Sequence, residues 1–186
     1  MSKKIILGFV GEMASGKGTA CDYLIEEHQA GYHRFSTILR DILDRLYIKH
    51  SRKNLQQLST ALRQSLGENI LAEVMAKQVE ADPADIVCVD GIRRPADIEH
   101  LNELDNFYLI HISADERTRY ERITQRQENP DDQSKTFEQF QKEQQQESER
   151  KIADVAAQAD IKIDNNGTLQ ELHQQIEKLL SDLQKE

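Results

Sequence analysis

The sequence predicts an α/β chain, a mostly parallel sheet with helices on both faces, and three observations predict it. Residues 5–10, 86–89 and 107–112 are continuous apolar runs of strand length, the pattern of strands covered on both faces. Stretches with apolar residues at three- to four-residue spacing lie between them, as amphipathic helices require. Strands that alternate with helices in this way pair in parallel through crossovers.

Taken in order, residues 5–10 form a first strand that runs into the glycine-rich stretch 11–17. Residues 17–28 carry Cys21, Leu24 and Ile25 on a helix, and 32–35 form a short strand. Residues 37–48 are helical, with Ile38, Leu39, Ile42, Leu43 and Leu46 on one face. Residues 54–80 carry Leu55, Leu58, Leu62, Leu66, Ile70, Val74 and Val79, with Gly67 breaking them into two helices. Strands at 86–89, 107–112 and 161–163 alternate with helices at 96–104, 115–128 and 168–184. The stretch 125–150 is rich in Gln and Glu and contains Asn129-Pro130-Asp131-Asp132. It reads either as an exposed polar loop and helix or as a lid over a nucleotide site.

A length of 186 residues fits one domain with a substantial core. No apolar run approaches the ~20 residues of a membrane span, and the start of the chain reads as strand and loop, not as a targeting segment. A cytoplasmic protein is expected. Cys21 and Cys88 have apolar neighbours and no second Cys or His at ligand spacing, so both are expected to be buried and reduced. The net charge is −9, yet arginines collect at 93–94 and at 117, 119, 122 and 126. Local positive clusters on an acidic chain point to a small phosphorylated ligand, not to nucleic acid or a membrane.

Gly11-Glu12-Met13-Ala14-Ser15-Gly16-Lys17 fits G-x-x-x-x-G-K. Placed between a buried strand and an amphipathic helix, such a loop aims backbone N–H groups at one point, backed by the positive end of the helix. Lys17 adds a point charge for the outer phosphates. Gly11, Ala14, Ser15, Gly16, Lys17, Gly18 and Thr19 are therefore the expected ATP-phosphate contacts. The Ser or Thr that usually follows the lysine is Gly18, so no hydroxyl from that position can bind Mg²⁺. Asp90, at the end of a buried strand, faces the crevice where α/β proteins bind ligands and is the candidate to orient water around Mg²⁺. Arg93 and Arg94 follow at the same edge, suited to paired hydrogen bonds with phosphate; one of them could instead pair with Asp97 or Glu99. Arg119, Arg122 and Arg126 recur on one helix face and are expected to reach phosphate.

These residues resemble the adenylate-kinase-like family of nucleoside and deoxynucleoside monophosphate kinases. Gly16-Lys17-Gly18-Thr19 is similar to that family's G-K-G-T, and Asp90-Gly91-Ile92-Arg93-Arg94 to its D-G-F-P-R. Arg122-Ile123-Thr124-Gln125-Arg126 resembles the R-x-x-x-R at the base of its lid, and Ser36-Thr37-Ile38-Leu39-Arg40 the segment that holds the acceptor. The resemblance implies a three-layer P-loop fold with a five-stranded parallel sheet, an acceptor-binding helical section near 36–80 and a lid near 127–150. It implies that Asp90 holds Mg²⁺ through water, and that Ser36, Arg40 and Arg94 hold the acceptor. Arg122 would pack on the donor adenine and Arg126 reach the transferring phosphate. Asp164-Asn165-Asn166-Gly167-Thr168 looks more like dephospho-coenzyme-A kinases, which would put Asn166 and Gly167 beside the adenine. The lid lacks the later arginine pair of the adenylate-kinase-like family; only Arg150 and Lys151 could substitute.

The expected function is transfer of the ATP γ-phosphoryl group, with Mg²⁺, to a nucleoside or deoxynucleoside monophosphate by a monomer or homodimer. The catalytic candidates are Lys17, Asp90, Arg94, Arg122 and Arg126. Dephospho-coenzyme-A kinase activity is one alternative, and an ATP-binding regulatory module with little turnover is another. No N-K-x-D guanine-reading motif is present.

Overall fold

A computed structural model describes residues 4–125, 135–144 and 147–185. Five strands, β1 (Ile5–Val10), β2 (Gly31–Arg34), β3 (Ile86–Asp90), β4 (Phe107–Ser113) and β5 (Ile161–Asp164), form one parallel sheet in the order β2-β3-β1-β4-β5. This is the predicted α/β architecture. β1 is central and buried throughout because both of its faces are covered.

Side chains alternate between the faces with the period of two that a strand imposes. Leu7, Phe9, Cys88, Ile110 and Ile112 meet α1 (Lys17–His28) and α8 (Leu169–Leu183) through Cys21, Leu24, Ile176 and Leu180. Ile6, Val10, Val87, Val89 and Leu109 meet the other layer. That layer holds α2 (Phe35–Arg45), α3 (Arg52–Leu66), α4 (Ile70–Ala81) and α7 (Glu147–Ala156), through Leu39, Met75, Val79, Ile152 and Val155. Both cysteines are free thiols inside the first cluster. Hydrogen bonding to Cys88 and burial push the Cys21 thiol well above its usual range, so it stays protonated and inert. Among the described residues no helix is long and apolar enough to cross a membrane.

Local signals set several boundaries. Ser51 caps α3 by accepting the Asn54 amide at 3.2 Å. Gly67, at φ 108, separates α3 from α4 as expected. Thr168 and Glu171 form a reciprocal capping box at the start of α8.

The structure departs from the sequence reading in two places. Phe35 opens α2 rather than closing β2, because its ring turns into the core with Ile38, Leu39 and Leu43. Residues 96–104 are not an α-helix but a single 3₁₀ turn at Pro95–Asp97 followed by further turns. Asp97 accepts the Arg93 and Arg94 amides at 2.9 and 3.0 Å, which tightens the chain, while Ile98 and Leu101 still reach the core. The polar stretch around 125–150 contains α6 (Phe137–Gln144) and runs into α7. α6 is docked on α5 (Glu116–Gln125): Phe140 is fully buried against Tyr120, and Gln141 and Gln144 donate to Glu116 at 3.1 and 3.2 Å. The rest of the lid segment expected at 127–150, and Arg126 at its base, lie largely outside the described residues. So does the side chain of Arg150.

Candidate active site

The loop between β1 and α1 is built around backbone that favours glycine. Gly16 sits at φ 109 as the N-cap of α1 and gives the first-turn amides no side-chain cap. A Cβ at Gly16 would also collide with the Asn165 side-chain amide. Ala14 takes φ 61, uncommon for a residue with a side chain. Lys17 Nζ folds back over the loop and donates to the carbonyls of Gly11 and Glu12 at 2.7 and 3.0 Å. The result is a cradle of amides with one ammonium at its rim, which is what binds a chain of phosphates. Gly18 and Thr19 are exposed on the first turn of α1.

Three distant side chains brace this loop. Asn165, at the end of β5 and 5% exposed, donates from Nδ2 to the Ser15 carbonyl at 2.8 Å. Arg119 on α5 donates to the carbonyls of Ala114 (3.0 Å) and Met13 (3.4 Å) and to Gln144 Oε1 on α6 (2.7 Å). His111 on β4 stands beside Glu12, with Nε2 3.9 Å from Oε2. The imidazole, with help from a loop amide and Arg119, outweighs burial and lowers the Glu12 carboxyl to about 2. Glu12 Oε2, His111 Nε2 and Ser15 Oγ are buried without hydrogen-bond partners among the described residues.

Asp90 closes β3 and is 7% exposed. Its Oδ2 accepts the Tyr32 hydroxyl at 3.0 Å and lies 3.3 Å from Arg34 Nε, while Oδ1 accepts the Gly91 amide at 2.7 Å. Burial and then the charge of Asp90 push the Tyr32 phenol well above its usual range, so it remains a donor. A carboxylate has about four acceptor directions. Three contacts leave room for one water, which fits an outer carboxylate that orients a hydrated Mg²⁺ better than a direct ligand. Among the described residues no group of three or more His, Cys, Asp or Glu side chains could hold a metal by itself.

The remaining site residues fall around these two centres. Arg94 is half-buried and pairs with Glu68 at 3.7 Å, not with Asp97 or Glu99. Ser36 and Arg40 lie one turn apart on α2; the Ser36 Oγ is buried without a hydrogen-bond partner among the described residues, and Arg40 is exposed. Neither Arg40 nor Arg93 makes an ion pair among the described residues. Arg119 does not line up with Arg122 as a phosphate contact: it is buried and its guanidinium is used on the two carbonyls and Gln144. Arg122 is half-buried, with Nη1 unpartnered among the described residues. Asn166 is exposed and joins two loops, accepting the Asp115 amide at 2.7 Å and donating to Asp164 at 2.7 Å. Gly167 lies next to it, against Glu171.

The spacing of the sequence does not single out Asn165 or Arg63, and it offers Asp97 only as an ion-pair partner for Arg93 or Arg94. Asn165 stands beside Asn166, the residue that the resemblance singles out. Arg63 was hidden by a leucine stripe on α3, although a cation beside such a stripe was a signal that it needed a buried partner.

A family model described as an AAA domain matches residues 7–150. A UPF0200 protein of Hyperthermus butylicus is 32% identical over 146 residues, 78% of this chain and 77% of that one. One of Sulfurisphaera tokodaii is 28% identical over 182 residues, 97% of this chain and 98% of that one. A shikimate kinase of Bacteroides thetaiotaomicron, 15% identical, aligns with a TM-score of 0.63 over 96% of this chain and 98% of that one, which shows a shared P-loop kinase-like fold. With its glycine loop, parallel sheet and these matches, the chain belongs to the AAA-domain family and to the UPF0200 proteins.

Proposed function

We propose that this protein transfers the γ-phosphoryl group of ATP to a phosphate-bearing small molecule, a nucleoside or deoxynucleoside monophosphate. The observation that carries the reading is the arrangement on adjoining strands: the braced amide loop after β1, and Asp90 with Arg93-Arg94 after β3. Phosphoryl transfer needs positioning and positive charge more than covalent chemistry. Lys17 and the loop amides would hold the donor. Arg40, Ser36 and Arg94 would hold the acceptor, and Arg122 and Arg126 would neutralise the group in flight. Asn166 and Gly167 would lie on the adenine side. Mg²⁺ accompanying ATP would screen the outer phosphates, held by Asp90 through water.

The contacts of Asp90 favour a phosphate acceptor over a hydroxyl one. A hydroxyl acceptor benefits from a general base, and both Asp90 oxygens are already engaged, by Tyr32, Arg34 and the Gly91 amide.

The test is ADP release with Mg·ATP over a panel: the ribo- and deoxyribonucleoside monophosphates, dephospho-coenzyme A and shikimate. Transfer to a monophosphate is expected, and Lys17→Ala should lower it by at least about 100-fold while the fold is kept. Transfer only to dephospho-coenzyme A or shikimate would replace this reading with a hydroxyl kinase. ATP binding with no transfer to any member would point to a regulatory module.

A further inference from the structure

Arg63 is 5% exposed and Asp97 is 2% exposed, and they meet at 2.7 Å between α3 and the turn after β3. A buried pair of this kind is not an efficient way to stabilise a fold, because desolvation offsets most of the attraction. What this pair does is specific. Asp97 spends Oδ1 on Arg63 and Oδ2 on the backbone N–H groups of both Arg93 and Arg94. Arg63 uses a second arm on the Glu68 carbonyl, in the turn between α3 and α4, and its Nε approaches Ser59 Oγ at 3.4 Å. The Glu68 carboxylate in turn lies 3.7 Å from the Arg94 guanidinium. One buried guanidinium thus touches both supports of Arg94: the carboxylate that holds its amide and the residue that faces its side chain.

We propose that Arg63 is a positioning residue, which through Asp97 and Glu68 sets Arg94 where an acceptor phosphate meets it and so couples α3 to the reacting edge. The inference rests on the proposed role of Arg94 in acceptor binding. Planar, forked geometry is required: a lysine at position 63 could keep the charge but could not serve Asp97 and the Glu68 carbonyl together. Misplacing a phosphate clamp by a fraction of an ångström costs acceptor use more than donor use.

The experiment combines kinetics with amide hydrogen exchange on the full chain. In Arg63→Lys, the exchange of the Arg93 and Arg94 amides should accelerate at least about tenfold, while the amides of β1 and α1 stay as in the wild type. KM for the monophosphate that the panel identifies should rise at least about tenfold, with KM for ATP within about twofold. Should Arg63→Lys not fold, the double variant Arg63→Met/Asp97→Asn carries no buried charge and is expected to show the same changes, smaller in size. Unchanged exchange, or an equal loss of acceptor and ATP use from a generally loosened protein, would overturn the proposal. If the wild type phosphorylates no member of the panel, the functional reading fails. The exchange measurement, with AMP, CMP, GMP and UMP as binding probes, then decides the anchoring by itself: unaltered amide exchange and probe affinity in the variant refute it.

Discussion

The two edges of the site are built differently. The proposed donor edge is mostly backbone: nine consecutive residues, 11–19, with Asn165 and Arg119 donating to loop carbonyls and His111 against Glu12. The proposed acceptor edge is mostly side chain: Arg34 from β2, Arg40 from α2, and Arg93 and Arg94 after β3, the last two held by Asp97, which Arg63 pairs with in turn. The difference matches what each edge would meet. A triphosphate tail is the same on every nucleotide and can be gripped by amides whose identity hardly matters. An acceptor has to be distinguished from its competitors, which takes side chains placed from several elements.

The largest effect should come from breaking the donor edge. Gly16→Ala forces a Cβ into φ 109 and against the Asn165 amide that holds the Ser15 carbonyl. Left-handed strain and overpacking together should cost roughly 2–5 kcal/mol, read as a lower midpoint in urea, with loss of ATP binding by titration. A variant that keeps its midpoint and its ATP affinity would mean that the brace is dispensable and the two edges are less distinct than drawn.

A smaller effect sharpens the comparison through pH. The Glu12 carboxyl is lowered to about 2 from an ordinary value of 4.5, chiefly by His111. A depressed carboxyl contributes stability that is complete above the unfolded value and is lost as pH falls through the folded one, here between about 4.5 and 2. Glu12→Gln should therefore flatten the acid limb of stability in that window, by at most about one proton per molecule, measured as thermal midpoint against pH. It should leave the acceptor edge unaffected. An acid limb with unchanged slope would remove His111 from the braces of the loop.

The legibility of the molecule in its sequence follows the same division. β1, β3 and β4 are continuous apolar runs, and the phosphate loop is local, so composition and spacing reveal them. The Gly67 break and the Thr168 cap are single-residue signals with one physical meaning each. What stayed hidden depends on distant partners. Ile152, Val155 and Ala156 of α7 follow a long polar stretch that masks their core-facing role. Ile98, Leu101 and Leu104 have helical spacing, but Asp97 captures two preceding amides and the chain turns instead. Arg119 looks like one of a row of helix arginines until Met13, Ala114 and Gln144 are found around it. The pairing of Arg63 with Asp97 spans 34 residues and no motif announces it.

The smallest expected effect concerns Gly18, the residue that stands where a hydroxyl is usual. It is the second residue of α1 and exposed, and a Cβ there would meet nothing within 4 Å. A glycine within a helix costs about 0.5–1 kcal/mol relative to alanine, so Gly18→Ala should raise stability by about that much, a gain of about 1–4 °C in Tm for a chain of this size. The space around the Cβ gives no reason for ATP use to suffer, so KM for ATP should stay within about twofold. If instead Tm rises while KM for ATP climbs well beyond that, a phosphate must approach the bare backbone at Gly18. The donor edge would then exclude side chains beyond Gly16, and the glycine that departs from the usual motif would be part of the grip.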